Sequence, residues 1–487
     1  MEPELAFPLD IPPRGRLQAL HGQLRAAIMD GRLHAGQPLP STRALAQALG
    51  VSRNTVVAAY ERLLSEGYLG VRQGAGYTVA GVVPARREAT PVASGGDRRL
   101  APRWREASAP GPMSAAPVRL DLRVGVPDLS RFPFETWRRL SAQALRGLSR
   151  APALYDAPEG RRVLREAIAG HVSFARAVSC RAEDIVVTNG AQQAFDLLAR
   201  ILVTPGRSVL AMEDPGYPSL RAAFEAAGAV VVPVPVDAEG LMVDRLPPET
   251  RIIYVTPSHQ YPLGMAMSPG RRQALLAFAR THGAVVIEDD YDGEFRYGGR
   301  ALDALQTLDR DGVVFYVGTF SKSLFPALRL GYVVAPPWAC PALAKARRFS
   351  DWHGDVLAQD TLARFIAEGH LARHVRKMRR LYEERRQALL DGLARHAAGR
   401  ALPLAAEAGL HLSARLIDPL EAASVVRACA AQGMRIEALA DAAISQPAPN
   451  GVMFGLGALS ATRMDEAARV LGRVLDAAMD QRAGAGR

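Results

Sequence analysis

At 487 residues the chain is longer than a single ordinary core sustains, so two or more domains are expected. Its 48% hydrophobic and 22% charged residues fit a globular protein, with no apolar run of the roughly 20 residues a bilayer span needs and no secretory signal in MEPELAFPLD. Three scattered cysteines (Cys180, Cys340, Cys429) argue against a disulfide framework or structural zinc and suit a reducing cytoplasm, while the net charge of +11 points to a polyanionic partner.

That charge is unevenly placed. Over residues 11–80 eight arginines oppose three acids, and over 81–118 six oppose three, so one end of the chain holds most of the excess. Within it, LQALHGQLRAAIMDGRL carries apolar residues at helical spacing (Leu17, Leu20, Leu24, Ile28) and stops at Gly31. Leu39-Pro40-Ser41-Thr42-Arg43 opens a short helix with Ser41 as its cap and Leu45 and Leu49 inward. Gly50-Val51-Ser52 then turns the chain into a second capped helix, Arg53–Ser65, with Val56, Tyr60 and Leu63 inward. This is helix-turn-helix spacing. It sets Arg53, Asn54 and Thr55 on the first turn of the second helix, where a recognition helix meets base edges and phosphates. Residues 68–79 read as a hairpin with a glycine-rich tip. A plain three-helix bundle would explain the apolar pattern, but not arginines at the exposed helix starts and in the hairpin.

Through LPSTRALAQALGVSRNTVVAAYERLLSEGYL and RQGAGYTV, residues 12–80 resemble the GntR family of winged-helix regulators. The resemblance implies contacts to double-stranded DNA at Arg43, Arg53 and Thr55 and, in the wing, at Gln73 and Gly74. Val57 stands where many members carry an arginine.

The reader is assigned to residues 1–80. Residues 81–117, rich in Pro, Ala, Gly, Ser and Arg, cannot bury a core and read as a flexible basic linker. From 118 to 487, the runs IVVTN, SVLAMED, AVVVPVPV, RIIYVTP, AVVIEDD, VVFYVGTF and LGYVVA alternate with amphipathic helices. Such alternation implies an α/β domain with a parallel or mixed sheet covered on both faces.

The sharpest chemical signal is GTFSKSLFPALRLGY, residues 318–332. Thr319 and Ser321 flank Lys322 just after a buried strand, and Arg329 follows. A phosphate wants hydroxyl donors and a guanidinium fork, and a pyridoxal aldehyde wants a lysine amine. Lys322 is one of only three lysines among sixty basic residues; arginine would serve as well on a surface but forms no imine. Asp289 ends the strand AVVIE, where a carboxylate can pair with a protonated pyridine nitrogen, and Tyr291 stands within reach of the ring's phenolic oxygen. Gly190, Ala191 and Gln192 begin a helix after a strand and offer free amides to a phosphate. Tyr217 follows the next strand and can stack on the ring face.

Together these motifs resemble the fold-type I aminotransferases, with a large and a small lobe, over residues 118–487. Joined to the reader, the whole chain resembles the MocR/GabR subfamily. The resemblance implies pyridoxal 5'-phosphate on Lys322, Asp289, Tyr291, Tyr217, Thr319, Ser321 and Arg329. It also implies that Tyr155 is presented to the partner's cofactor in a homodimer with shared sites, and the linker, at most about 120 Å when extended, is long enough for that dimer to be head-to-tail and domain-swapped. No metal is expected. Two departures stand out: His259-Gln260-Tyr261-Pro262-Leu263-Gly264 replaces an Asn-Pro-x-Gly segment, and the final strand, residues 451–457, lacks the arginine that holds a substrate carboxylate. Arg415, Arg435 and Arg463 are the remaining candidates for that role. The expected function is a cytoplasmic regulator whose operator binding responds to pyridoxal phosphate or an amine effector. The alternative is a working class I/II aminotransferase with an accessory DNA-binding module.

Overall fold

The computed structural model describes residues 5, 7–72, 76–81, 99, 101, 104, 118–150, 154–297, 302–404 and 407–485. The expected linker and the wing residues Gln73 and Gly74 therefore lie almost wholly outside the described residues. The chain divides into two units, Met1–Pro110 and Gly111–Arg487.

In the first unit, α1 (Arg16–Met29), α2 (Thr42–Leu49) and α3 (Arg53–Ser65) precede the hairpin β1 (Leu69–Arg72) and β2 (Gly76–Val79). The caps are those the sequence indicates: Ser41 accepts from the Ala44 N–H and Ser52 from the Thr55 N–H, each at 3.2 Å. Gly50, at φ 62°, takes the left-handed turn that a side chain resists and so ends α2. The apolar stripes meet in one core of Leu20, Leu24, Ile28, Leu45, Val56, Tyr60 and Leu63. The buried Tyr60 hydroxyl donates to the Pro40 carbonyl at 3.0 Å, tying α3 to the entry of α2.

The second unit carries a mixed eight-stranded sheet ordered β4-β11-β10-β9-β8-β5-β6-β7. Its strands are β4 (Ile185–Thr188), β5 (Val209–Asp214), β6 (Val230–Asp237), β7 (Gly240–Leu241), β8 (Thr250–Val255), β9 (Val285–Asp290), β10 (Val314–Thr319) and β11 (Gly331–Val334). Strands β6, β5, β8, β9 and β10 run parallel, and β11 lies antiparallel between β10 and β4. Apolar clusters lie on both sides of the sheet, as an α/β layering requires. A smaller lobe holds the four-stranded sheet β12-β13-β16-β15, from Ala401–Pro403, His411–Leu416, Gly451–Gly455 and Glu437–Ala438, with its own core. Strand β3 (Leu120–Asp121) pairs with β14 (Met434–Arg435), so the segment entering the second unit is stitched to this lobe. Among the described residues no helix is long and apolar enough to cross a membrane.

Candidate functional site

Strand alternation decides which acids face the site. Successive side chains on β9 point to opposite faces. Asp290 meets Arg176, whose Nε donates to it at 2.6 Å, and the Tyr316 hydroxyl. Asp289 turns the other way, into a cavity of about 280 Å³. There the Tyr254 hydroxyl donates to its Oδ2 at 2.7 Å, while its buried Oδ1 has no hydrogen-bond partner among the described residues. Burial, aided by Asp290 and Asp292, pushes the Asp289 carboxyl up to about 7.

Lys322 enters the same cavity from the loop after β10, and its Nζ donates to the Gly125 carbonyl at 2.7 Å. Burial lowers its pKa, opposed by Asp292, Asp289 and Glu437. At another wall stands the N-terminus of the helix Ala191–Leu202, whose first-turn N–H groups have no partner within the helix. Gly190 precedes it at φ 80°, and a Cβ there would press against the Arg329 guanidinium at 3.1 Å. Only glycine meets both demands. Arg329 itself adopts a left-handed φ of 51° and donates to the Asn189 carbonyl at 2.7 Å. Thr319 and Ser321 join at 3.0 Å through their hydroxyls. Ala191, Gln192, Tyr217, Thr319, Ser321, Arg329 and Tyr291 all line the cavity.

The site has a brace that sequence reasoning missed. The Tyr291 hydroxyl bonds the Nδ1 of His259 at 2.9 Å, and Asp292 meets the same nitrogen at 3.1 Å. His411 packs against His259 and bonds the Pro262 carbonyl at 3.1 Å, and burial lowers its pKa to about 4. His259, Asp292 and His411 bring potential metal-ligand atoms within 4.8 Å. Asp292, however, already accepts from His259 and from the Leu410 N–H at 3.0 Å. Tyr254 and Glu437 also line the cavity without having been anticipated. Period-two alternation on RIIYVTP could have found Tyr254, but Glu437 sits on a two-residue strand and carries no such signal.

Tyr155 does not reach this cavity. It stands 77% exposed, its ring 4.6 Å from that of Trp352. Nor do Arg415, Arg435 or Arg463 line the cavity, whose cationic side chains among the described residues are Lys322 and Arg329, with His411 held neutral. In the reader, Arg43, Arg53 and Asn54 are exposed at helix starts. The Thr55 hydroxyl is engaged with Ser52 at 2.8 Å, and Arg53 reaches the Thr42 hydroxyl at 3.4 Å.

The donor set fits the expected cofactor. A phosphate would find a helix N-terminus, two hydroxyls and a guanidinium; a protonated ring nitrogen would find the unpaired Asp289 Oδ1; an aldehyde would find a desolvated amine.

Residues 17–79 match the profile of bacterial regulatory proteins of the gntR family, and residues 118–440 that of aminotransferase class I and II. The chain is 38% identical to the probable rhizopine catabolism regulatory protein MocR of Rhizobium meliloti, over 92% of this chain and 91% of that one. It is 35% identical to the HTH-type pyridoxine biosynthesis transcriptional regulator PdxR of Corynebacterium glutamicum, over 89% and 90%. Among solved structures, the α-aminoadipate aminotransferase LysN of Thermus thermophilus superposes with a TM-score of 0.68 at 28% identity, over 74% of this chain and 93% of that one.

Proposed function

Because this chain belongs to the MocR subfamily of GntR-type transcriptional regulators, we propose that its operator binding responds to pyridoxal 5'-phosphate or to an amine taken up by the cofactor-loaded site. The observation that carries this reading is the pairing, in one cavity, of a buried carboxylate with an unpaired oxygen and a desolvated lysine. When bound, pyridoxal phosphate supplies an aldehyde that captures amines and a ring nitrogen that draws electrons. Gly190, Ala191, Gln192, Thr319, Ser321 and Arg329 would hold its phosphate, Tyr217 the ring face, Asp289 the ring nitrogen's proton and Tyr291 the phenolic oxygen. Tyr155 would serve the partner's site in a swapped homodimer. Crosslinks joining reader and large unit only within one chain would contradict the swap.

Lys322 supplies the link to regulation. Its amine holds the Gly125 carbonyl, and Gly125 follows β3, which is paired into the small lobe. When the amine leaves Gly125 to hold the cofactor, or is displaced from it, a tie between the lobes changes. A two-state response of lobe packing would then bias the readers. Titrating the loaded protein with amines, while following its absorbance and its binding of labelled operator DNA, tests this. Both signals are expected to move together; an absorbance change with unaltered DNA binding would contradict it.

A working aminotransferase is the competing reading, supported by the same Lys322, Asp289, Tyr291 and Arg329. With Arg329 given to the phosphate, and no other arginine among the described residues lining the cavity, a bound amino acid has no guanidinium to fix its carboxylate and is poorly aligned for proton transfer. Turnover of glutamate or alanine is therefore expected well below the ordinary range of about 1–10³ per second. Rates within that range would establish the enzyme reading.

A further inference from the structure

The charges around the cavity are unevenly divided. At the phosphate end, Arg329 lies against Gly190 and is bound to the Asn189 carbonyl. Asp292 is committed to His259 and Leu410, and Asp289 accepts from Tyr254 and keeps only Oδ1, which the reading above gives to the ring nitrogen. Among the described carboxylates lining the cavity, Glu437 remains without such a role. Glu437 lines the cavity from β15, directly across from Met453 of the final strand. Its Oε1 accepts the Val124 N–H at 3.1 Å, and among the described residues Oε2 accepts no hydrogen bond. The guanidinium nearest to this wall in sequence, Arg123, forks onto Asp121 with Nε at 3.0 and 2.9 Å from its oxygens and does not line the cavity; burial raises the Glu437 pKa, and the Arg123 charge only partly opposes this.

A half-buried carboxylate facing a ligand chamber favours a cation and repels an anion, and the preference strengthens as water is excluded. We propose that Glu437 selects the effector, and that the amine this site takes up carries a second cationic group: a diamine rather than an α-amino acid. One nitrogen engages the reactive end at Lys322, and the other donates to Glu437. This rests on the amine-responsive reading given above and names the ligand class for the same site. Tyr261, which also lines the cavity, would cover the carbon chain between the two nitrogens.

The test is calorimetric binding to cofactor-loaded full-length protein, using putrescine and cadaverine as diamine probes. Butylamine and pentylamine are their singly charged counterparts, and γ-aminobutyrate and glutamate are the carboxylate-bearing ones. The diamines should bind more tightly than the monoamines by about tenfold or more, the effect of one charge-assisted hydrogen bond, and the carboxylate-bearing amines should bind most weakly. Glu437→Gln keeps the side-chain shape and an oxygen for the Val124 N–H, so cofactor loading should persist while the diamine advantage disappears. Glu437→Arg should reverse the order in favour of γ-aminobutyrate. Amines that bind without charge preference, or a preference that survives Glu437→Gln, would overturn the assignment of Glu437 alone. No binding of any amine would overturn it together with the amine-responsive reading.

Discussion

Burial costs the Lys322 ammonium its hydration, and the surrounding carboxylates Asp292, Asp289 and Glu437 only partly compensate. Its neutral, nucleophilic amine is therefore populated at lower pH than that of an ordinary lysine. With three lysines in the chain, this can be read directly by mass spectrometry. The rate at which a small amine-selective reagent labels Lys322 in cofactor-free protein should reach its half-maximum below the ordinary lysine pKa of about 10.4. A midpoint at or above that value would contradict the desolvation argument. Asp289 has the opposite consequence. Its carboxyl lies near 7 in the folded protein, above the roughly 3.9 of an unfolded chain, so folding favours the acid form. The stability this gives is complete below about pH 4 and is lost as pH rises towards 7. In cofactor-free protein, Asp289→Asn should flatten the fall in Tm across that window while weakening cofactor retention. An unchanged slope would mean that Asp289 titrates normally.

At the scale of elements, what was legible followed from which residues repeat a pattern. The central strands, buried on both faces, read as unbroken apolar runs such as AVVIE and VVFYVG, and β4, β5 and β8 to β11 lie where those runs are, as does the less buried β6. The caps Ser41 and Ser52 were legible because helix starts demand such side chains. The His259–Asp292–Tyr291 brace was not, because it joins side chains 32 and 33 positions apart whose meeting depends on the fold. Tyr254 reads as one more core aromatic in RIIYVTP until its hydroxyl is seen on Asp289. Glu437 lies on a strand too short for periodicity. In the reader, α3 presents Arg53 on its exposed first turn. Arg53→Ala should weaken operator binding by about 1–3 kcal/mol and relax specificity at one base if the guanidinium reads a guanine edge. If it holds a phosphate, affinity should fall uniformly across sequences and the salt dependence should flatten by about one ion. Operator titrations at several salt concentrations separate the two, and unaltered affinity would remove Arg53 from the interface.

At the scale of the whole molecule, regulation requires that two distant functions share one equilibrium. The reader has the caps, core and exposed arginines of a DNA-binding unit, and the second unit has the cavity, the lysine and the unpaired carboxylate of a cofactor site. Coupling between them is a free energy and is reciprocal: if the cofactor alters operator affinity by some factor, the operator must alter cofactor affinity by the same factor. The most direct measurement is therefore the dissociation constant of pyridoxal 5'-phosphate from full-length protein with and without saturating operator DNA, set beside that of operator DNA with and without cofactor. Both ratios are expected to depart from one by the same amount, about 5- to 150-fold, and Lys322→Ala to bring both back towards one. Two ratios equal to one, in protein that binds DNA and cofactor independently, would contradict a shared equilibrium.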